Sequence, residues 1–178
     1  MSLFEAIVVT GTPFSGKTTL AKLLAEHFNW RYFSVGHMWR DLWKKNYPKG
    51  DMSFENFWLQ TTDDDNREMD KAAGELLKEG HVVGDLRYGF IHRDPQTLIV
   101  FAKCDIDVRV KRALEINAYP GKDFAQIKEI LEQRERDEVD RCQALYNGDY
   151  RDSKNYDLLF DTTDAAPDEA LEKILALK

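Results

Sequence analysis

The stretch from Phe4 to Leu24 constrains this chain more than any other. An apolar, β-branched run, Ile7-Val8-Val9-Thr10, meets Gly11-Thr12-Pro13-Phe14-Ser15-Gly16-Lys17-Thr18, and a helical pattern carrying Leu20, Leu23, Leu24 and Phe28 begins at once. Strand, glycine loop and helix in succession are the context in which G-x-x-x-x-G-K-[ST] reads as a phosphate-binding loop rather than a glycine turn before an ordinary helix. Glycine at 11 and 16 frees the backbone so that successive N–H groups can surround a polyphosphate. The helix starting near Lys17 adds its positive end. The expected triphosphate contacts are Gly11, Thr12, Pro13, Phe14, Ser15, Gly16, Lys17, Thr18 and Thr19. Lys17 is expected to reach the β- and γ-phosphates and act in catalysis, and the Thr18 hydroxyl to hold Mg²⁺, with Thr19 as the nearby alternative phosphate contact.

Composition sets the frame. A chain of 178 residues with 43% hydrophobic content can bury one sizeable core, and nothing marks a second domain. With 25 basic against 32 acidic residues the net charge is -7, which argues against a nucleic-acid or membrane-surface partner. The apolar runs are too short to span a bilayer, and Met1-Ser2-Leu3-Phe4-Glu5 lacks the basic start and long apolar region of a signal peptide, so a cytoplasmic protein is expected. Cys104 and Cys142 are too few and too far apart for a disulfide framework or metal site, and read as free, buried thiols.

Further along, Trp30 to Val35 reads as a second strand ended by Gly36. A helix with Met38, Trp39, Leu42 and Trp43 follows, then a polar connection over Lys44 to Asp51. Ser53 reads as an N-cap before Phe54, Phe57 and Trp58. A helix from about Asn66 to Glu79 has Met69, Ala72, Ala73, Leu76 and Leu77 as its buried stripe and stops at Gly80. His81 to Gly84 and Thr97 to Ala102 are strands, Asp107 to Glu115 and Phe124 to Tyr146 helices, Tyr156 to Phe160 the last strand and Pro167 to Leu177 the last helix. Strands alternating with helices, none joined by a tight hairpin, predict an α/β fold with a parallel sheet covered on both faces. Ligands then sit at the carboxyl ends of the strands: Gly11, Ser34 to His37, Asp85 to Arg87 and the region after Asp161.

Asp85, just past a strand end, suits a carboxylate that holds Mg²⁺ or orients an attacking oxygen, and equally one that caps a loop. Arg87 and Arg40 stand where a guanidinium fork could grip a second, phosphorylated substrate, or simply be solvated. On the long helix, Gln133-Arg134-Glu135-Arg136-Asp137-Glu138 interrupts an apolar stripe of Phe124, Ile127 and Leu131 that resumes at Val139, Cys142 and Tyr146. This run reads either as a solvent-spanning stretch supported by pairs such as Arg136 with Asp140, or as a lid arm whose arginines reach the transferring phosphoryl group. Arg109, Lys111 and Arg112 could contribute to it. The four histidines show no ligand spacing.

The phosphate loop, Phe33-Ser34-Val35-Gly36-His37-Met38-Trp39-Arg40-Asp41, Met52-Ser53-Phe54-Glu55, Asn66-Arg67-Glu68-Met69-Asp70, Arg134-Glu135-Arg136-Asp137 and Tyr156-Asp157-Leu158-Leu159-Phe160-Asp161-Thr162-Thr163 occur in order along nearly the whole chain. Together they resemble the short cytidylate kinases of archaea and some bacteria. The resemblance implies a single-domain P-loop nucleoside monophosphate kinase, a three-layer α/β/α sandwich with a five-stranded parallel sheet. It implies transfer of the γ-phosphoryl of ATP-Mg to CMP or dCMP, an acceptor-binding helical segment over about 37–80 and a lid over about 113–141. Arg40 and Arg87 would hold the acceptor phosphate, and Arg136, Asp140 and Arg141 would make lid-side contacts, with Lys17, Asp85, Arg87 and Arg136 as catalytic residues and Thr18 and Asp85 at the metal. The expected partners are small nucleotides, with the protein a monomer or weak homodimer. Three departures stand out: Phe14 replaces a loop glycine, Glu115-Ile116-Asn117-Ala118-Tyr119 replaces the basic pair of the lid, and Asp85-Leu86-Arg87 replaces Glu-Gly-Arg. The last is closer to deoxynucleotide and other small-molecule kinases of the same fold. A kinase for another small acceptor and a non-catalytic ATP-binding switch are therefore the competing readings. Aromatics at 39, 43, 57 and 58 could build a base pocket, a core or a dimer contact.

Overall fold

The computed structural model describes residues 4–177; Met1 to Leu3, part of the N-terminal reading, lie outside the described residues. Five strands, β1 (Ala6–Gly11), β2 (Arg31–Ser34), β3 (Val82–Asp85), β4 (Thr97–Lys103) and β5 (Leu158–Asp161), form one parallel sheet in the order β2-β3-β1-β4-β5. The helices are α1 (Lys17–Phe28), α2 (Val35–Asn46), α3 (Phe54–Leu59), α4 (Asp63–Lys78), α5 (Ile106–Glu115), α6 (Phe124–Tyr146) and α7 (Pro167–Leu175).

Strand β1 shows why both faces are covered. Ala6 and Val8 pack with Trp39, Phe57, Ala73 and Leu77 on one face, while Ile7 and Val9 pack with Leu20, Leu24, Phe160 and Ile174 on the other. A central strand apolar on both sides needs a helical layer on each. The result is the three-layer α/β/α sandwich of a P-loop NTPase, with β1 in the middle and its loop at the carboxyl edge. A third cluster, Val110, Ala113, Ile127 and Leu131, joins α5 to α6, and Phe14 and Tyr119 pack against it.

Several boundaries differ from the sequence expectation. Strand β2 is an edge strand that pairs only with β3, from Arg31↔Val82 to Ser34↔Asp85, so it ends at Ser34. Helix α2 starts at Val35, with Gly36 inside its first turn, and continues to Asn46 through residues expected in a polar connection. Helix α4 starts at Asp63 because Thr62 and Asp65 form a reciprocal capping box, and three aspartates in its first turn complement the helix dipole. Its Ala72 is exposed, whereas Ala73 and Leu77 are buried. Strand β5 pairs with β4 only over Leu158 to Asp161, leaving Tyr156 outside it; that ring is buried and its hydroxyl donates to the Tyr150 carbonyl. Helix α7 ends at Leu175. Ser53 caps α3 as expected, accepting from the Asn56 amide at 3.2 Å, and both cysteines are free and buried. Among the described residues no helix is long and apolar enough to cross a membrane.

Candidate active site

The loop after β1 has the backbone its glycines predict. Gly11 takes φ +152°, and a Cβ there would stand 2.3 Å from the Ala102 carbonyl oxygen of the neighbouring strand. Gly16, at φ +83°, is the N-cap of α1 with no side chain in front of the helix end. The first amides of α1 are thus left for an anion. Phe14 adopts φ +61° although it carries a Cβ. Such a conformation costs an L residue about 1–2 kcal/mol, and the compensation is visible: the ring lies 6.2 Å from Tyr119 and packs on the α5–α6 cluster. Phe14 therefore ties the phosphate loop to the hairpin that carries the charged run.

A second tie runs through Arg112. Its guanidinium donates to the Phe14 carbonyl at 3.3 Å, the Thr162 hydroxyl at 3.2 Å and the Thr162 carbonyl at 2.6 Å, while the Thr162 hydroxyl donates to the Ser15 carbonyl at 2.6 Å. The loop after β5 is thereby fixed to the phosphate loop. Between them lies a cavity of about 250 Å³ lined by Gly16, Thr19, Leu20, Arg112, Phe160, Thr162 and Ala165. Within the phosphate loop itself, the Thr12 and Ser15 hydroxyls are buried without hydrogen-bond partners, an arrangement that suits a polar ligand against the loop.

Asp85 ends β3 beside Val9 of β1 and is buried. Its Oδ2 accepts from the Thr18 hydroxyl at 2.6 Å and from the Tyr32 hydroxyl at 3.4 Å. Burial, and then the Asp85 charge, push the Tyr32 hydroxyl up to about 12, so it stays protonated and remains a donor. Thr18 and Asp85 offer an all-oxygen donor pair at the end of the phosphate loop, the chemistry that Mg²⁺ prefers. Residues expected at the metal are thus together, with Tyr32 as an orienting partner that its strand position hides in the sequence.

Lys17 sits in a wider charge cluster. Burial pushes its ammonium below the ordinary lysine value; Asp85 and Glu138 oppose that shift, and Arg134 and Arg87 add to it. Glu138, on α6, is buried and accepts from Arg134 Nε at 3.2 Å and from the Tyr150 hydroxyl at 3.4 Å; Arg87 Nε stands 3.7 Å away. The Tyr88 hydroxyl donates to the Glu138 carbonyl at 3.1 Å, holding this turn of α6 against the segment after β3. The charged run is therefore exposed over most of its residues, but Glu138 turns inward, and its charge and that of Arg134 act on Lys17. Arg134, whose side chain keeps 47% exposure, reaches this cluster through its pair with Glu138. Arg136 is exposed, with its guanidinium donating to Gln133 Oε1 at 2.9 and 3.3 Å. Arg109 is buried and pairs with Glu135 at 2.9 Å, joining α5 to α6 rather than facing the loop.

The expected acceptor residues come from three elements, and Arg87 belongs to this cluster as well. Arg87 follows β3, and its carbonyl accepts from the Thr10 hydroxyl at 2.5 Å. Arg141 of α6 is half-buried, Asp140 beside it is exposed, and Arg40 on α2 is exposed with Nη1 donating to the Gly36 carbonyl at 3.0 Å. Between α4 and α6, the Tyr146 hydroxyl donates to Asp70, whose carboxyl burial pushes above the ordinary range while that hydrogen bond and the Arg87 charge pull it back. Trp39 and Phe57 belong to the core, which settles part of the aromatic surplus.

A parallel sheet, a phosphate loop with its lysine, a carboxylate at the neighbouring strand end and arginines gathered from two further elements define a kinase-like P-loop phosphotransferase. The model of the cytidylate kinase-like family matches residues 6–164, and the chain belongs to that family. A cytidylate kinase of Methanopyrus kandleri is 27% identical, over 98% of this chain and 93% of its own. One of Methanocaldococcus jannaschii is 30% identical, over 88% of each. Among solved structures, a shikimate kinase of Acinetobacter baumannii in complex with shikimate superposes with a TM-score of 0.60 at 18% identity, covering 98% of this chain and 92% of that one. This last likeness is one of fold.

Proposed function

We propose that the protein transfers the γ-phosphoryl group of ATP to a nucleoside monophosphate, with CMP and dCMP the preferred acceptors. The observation that carries this reading is the convergence of Lys17, Arg87 and Arg134, from three separate elements, around the Asp85 and Glu138 carboxylates. A donor and an acceptor that both bring phosphate need cations on both sides of the transfer point. An acceptor presenting only hydroxyl groups, or a single carboxylate, would leave Arg87 and Arg141 with more positive charge than it could satisfy. Cytidylate kinases among the relatives support the base preference.

In this mechanism the loop amides from Gly11 to Thr19 and the Lys17 ammonium bind the donor's β- and γ-phosphates. Thr18 and Asp85 would hold Mg²⁺, which screens charge on the phosphates when bound. Arg40, Arg87 and Arg141 orient the acceptor phosphate in line with the γ-phosphorus, with Asp140 alongside. Arg134, rather than Arg136, stabilises the charge that develops on the moving group; it keeps its aim through Glu138. Glu138 and Tyr88 hold α6 down so that water is excluded. No covalent enzyme intermediate is needed.

The test is a panel in which ADP formation from ATP-Mg is followed with CMP, dCMP, UMP, AMP, GMP, dTMP and shikimate. Preference for the two cytidine monophosphates is the expected result. Transfer to shikimate alone, or ATP binding with transfer to nothing, would overturn the acceptor assignment.

A further inference from the structure

The arginines assigned to the acceptor share one unusual support. Phe54 and Trp58 stand four residues apart on α3 and so project from the same side of the helix. The Arg40 guanidinium lies over the Phe54 ring, 5.2 Å from its centroid. Those of Arg87 and Arg141 both lie over Trp58, at 4.6 and 5.4 Å. The three come from α2, the segment after β3, and α6. Trp58 is itself fixed by an edge-on contact with the buried Trp39, 5.2 Å between ring centroids.

The way a guanidinium is held decides what it can still do. Its N–H bonds lie in the plane of the group, so a carboxylate partner uses them up and cancels the charge, whereas an aromatic ring attracts the cation through its face and leaves the edge free. Nη1 of Arg141 is buried and makes no hydrogen bond. Among the described residues Arg87 has Glu138 as its one ion-pair partner, through Nε at 3.7 Å, and its terminal nitrogens donate to no group there. Two cations with free donor edges, held by one indole, match a ligand with several acceptor oxygens and more than one negative charge. A monophosphate group has both.

We propose that Trp58 is a positioning residue for the acceptor: its indole holds Arg87 and Arg141 by their faces and presents their free N–H edges to the phosphate of a nucleoside monophosphate. This rests on the acceptor reading above and adds to it a residue that touches neither reacting atom. Phe54 does the same for Arg40 with a weaker ring. The inference also explains the composition of α3, where an aromatic face is kept partly uncovered although the core behind it is already supplied by Trp39 and Phe57.

The experiment compares wild type with Trp58→Leu and Trp58→Phe, measuring KM for CMP, KM for ATP and kcat. Leucine keeps apolar bulk and loses the π face; phenylalanine keeps a face of lower attraction. The expected result is a rise of roughly tenfold in the CMP KM for Trp58→Leu, largely restored by Trp58→Phe, with the ATP KM within about twofold of wild type in both. Wild-type tryptophan emission should also change on adding CMP but not cytidine, and the Trp58→Phe protein should lose most of that change. If Trp58→Leu proves poorly folded by circular dichroism, the Trp58→Phe kinetics and the emission difference decide. An unchanged CMP KM in an active Trp58→Leu protein, a parallel rise in both KM values, or emission that responds equally to CMP and cytidine would overturn this inference and leave the acceptor reading standing. Wild-type protein that transfers to no monophosphate would overturn both.

Discussion

Replacing Glu138 by alanine removes the carboxylate that two arginines share beside the phosphate loop. The side chain is 9% exposed and meets Arg134 at 3.2 Å and Arg87 at 3.7 Å. Removing one partner of a fully buried pair costs about 3–5 kcal/mol, but here the arginine side chains keep 47% and 26% exposure and water takes up part of the lost interaction. An exposed pair would contribute only about 0–1 kcal/mol, so the intermediate geometry points to a loss of about 2 kcal/mol. For a domain of this size that lowers Tm by roughly 4–8 °C, read by thermal denaturation. Glu138→Gln, which keeps the volume and an acceptor, should lose about half as much. The same change acts on Lys17, because Glu138 is one of two carboxylates that oppose the downward push of burial. Without it the ammonium loses its proton at lower pH, so the alkaline limb of the pH–rate profile moves to lower pH in both variants. A Glu138→Ala protein that melts within a degree of wild type, with an unmoved alkaline limb, would refute the reasoning.

Other outcomes follow from the same geometry. Arg134→Ala should lower kcat by about 10²-fold and Arg136→Ala by less than about threefold, since only Arg134 joins the Lys17 cluster; equal losses would return the role to Arg136. Phe14→Ala keeps the left-handed backbone and loses the ring contact, whereas Phe14→Gly relieves strain of about 1–2 kcal/mol, so the glycine variant should have the higher Tm of the two despite the entropy of its unfolded chain. Burial pushes His92 down to about 4. Between pH 6.5 and 4 the unfolded chain takes up a proton that the native state refuses, so stability falls on acidification, by roughly 2–3 kcal/mol across that window. Urea titrations at pH 7 and 4.5 should show the loss in wild type and a smaller one in His92→Gln.

Much of the fold is legible in the chain because its signals are local. The strand–loop–helix from Ala6 to Phe28 rests on glycine spacing and apolar pattern, and α6 runs from Phe124 to Tyr146 as the periodicity predicts. Edge strands are less legible. β2 and β5 end where their single neighbour ends, which is a property of β3 and β4 and not of their own residues. The same limit applies to the site. Pattern places six charged or polar residues from Gln133 to Glu138 on one helix, but which turn faces inward is decided by Tyr88 and Tyr150, which arrive from elsewhere in the chain. Attention therefore falls on Arg136, whereas Arg134 and Glu138 are the members of the run whose charges act on Lys17. Their spacing of four was the available signal. Trp58 reads from sequence as core or base pocket, since a cation over a ring joins residues 29 and 83 positions apart and leaves no periodic trace.

The central claim is that a phosphoryl group passes from ATP to a cytidine monophosphate at the loop that ends β1. Phosphorus NMR of one sample containing the protein, ATP-Mg and CMP follows donor and acceptor together. The account predicts that ADP and CDP appear in equal amounts with wild type and that neither appears with Lys17→Ala. ADP accumulating without CDP, or CDP forming at the wild-type rate in the lysine variant, would contradict it.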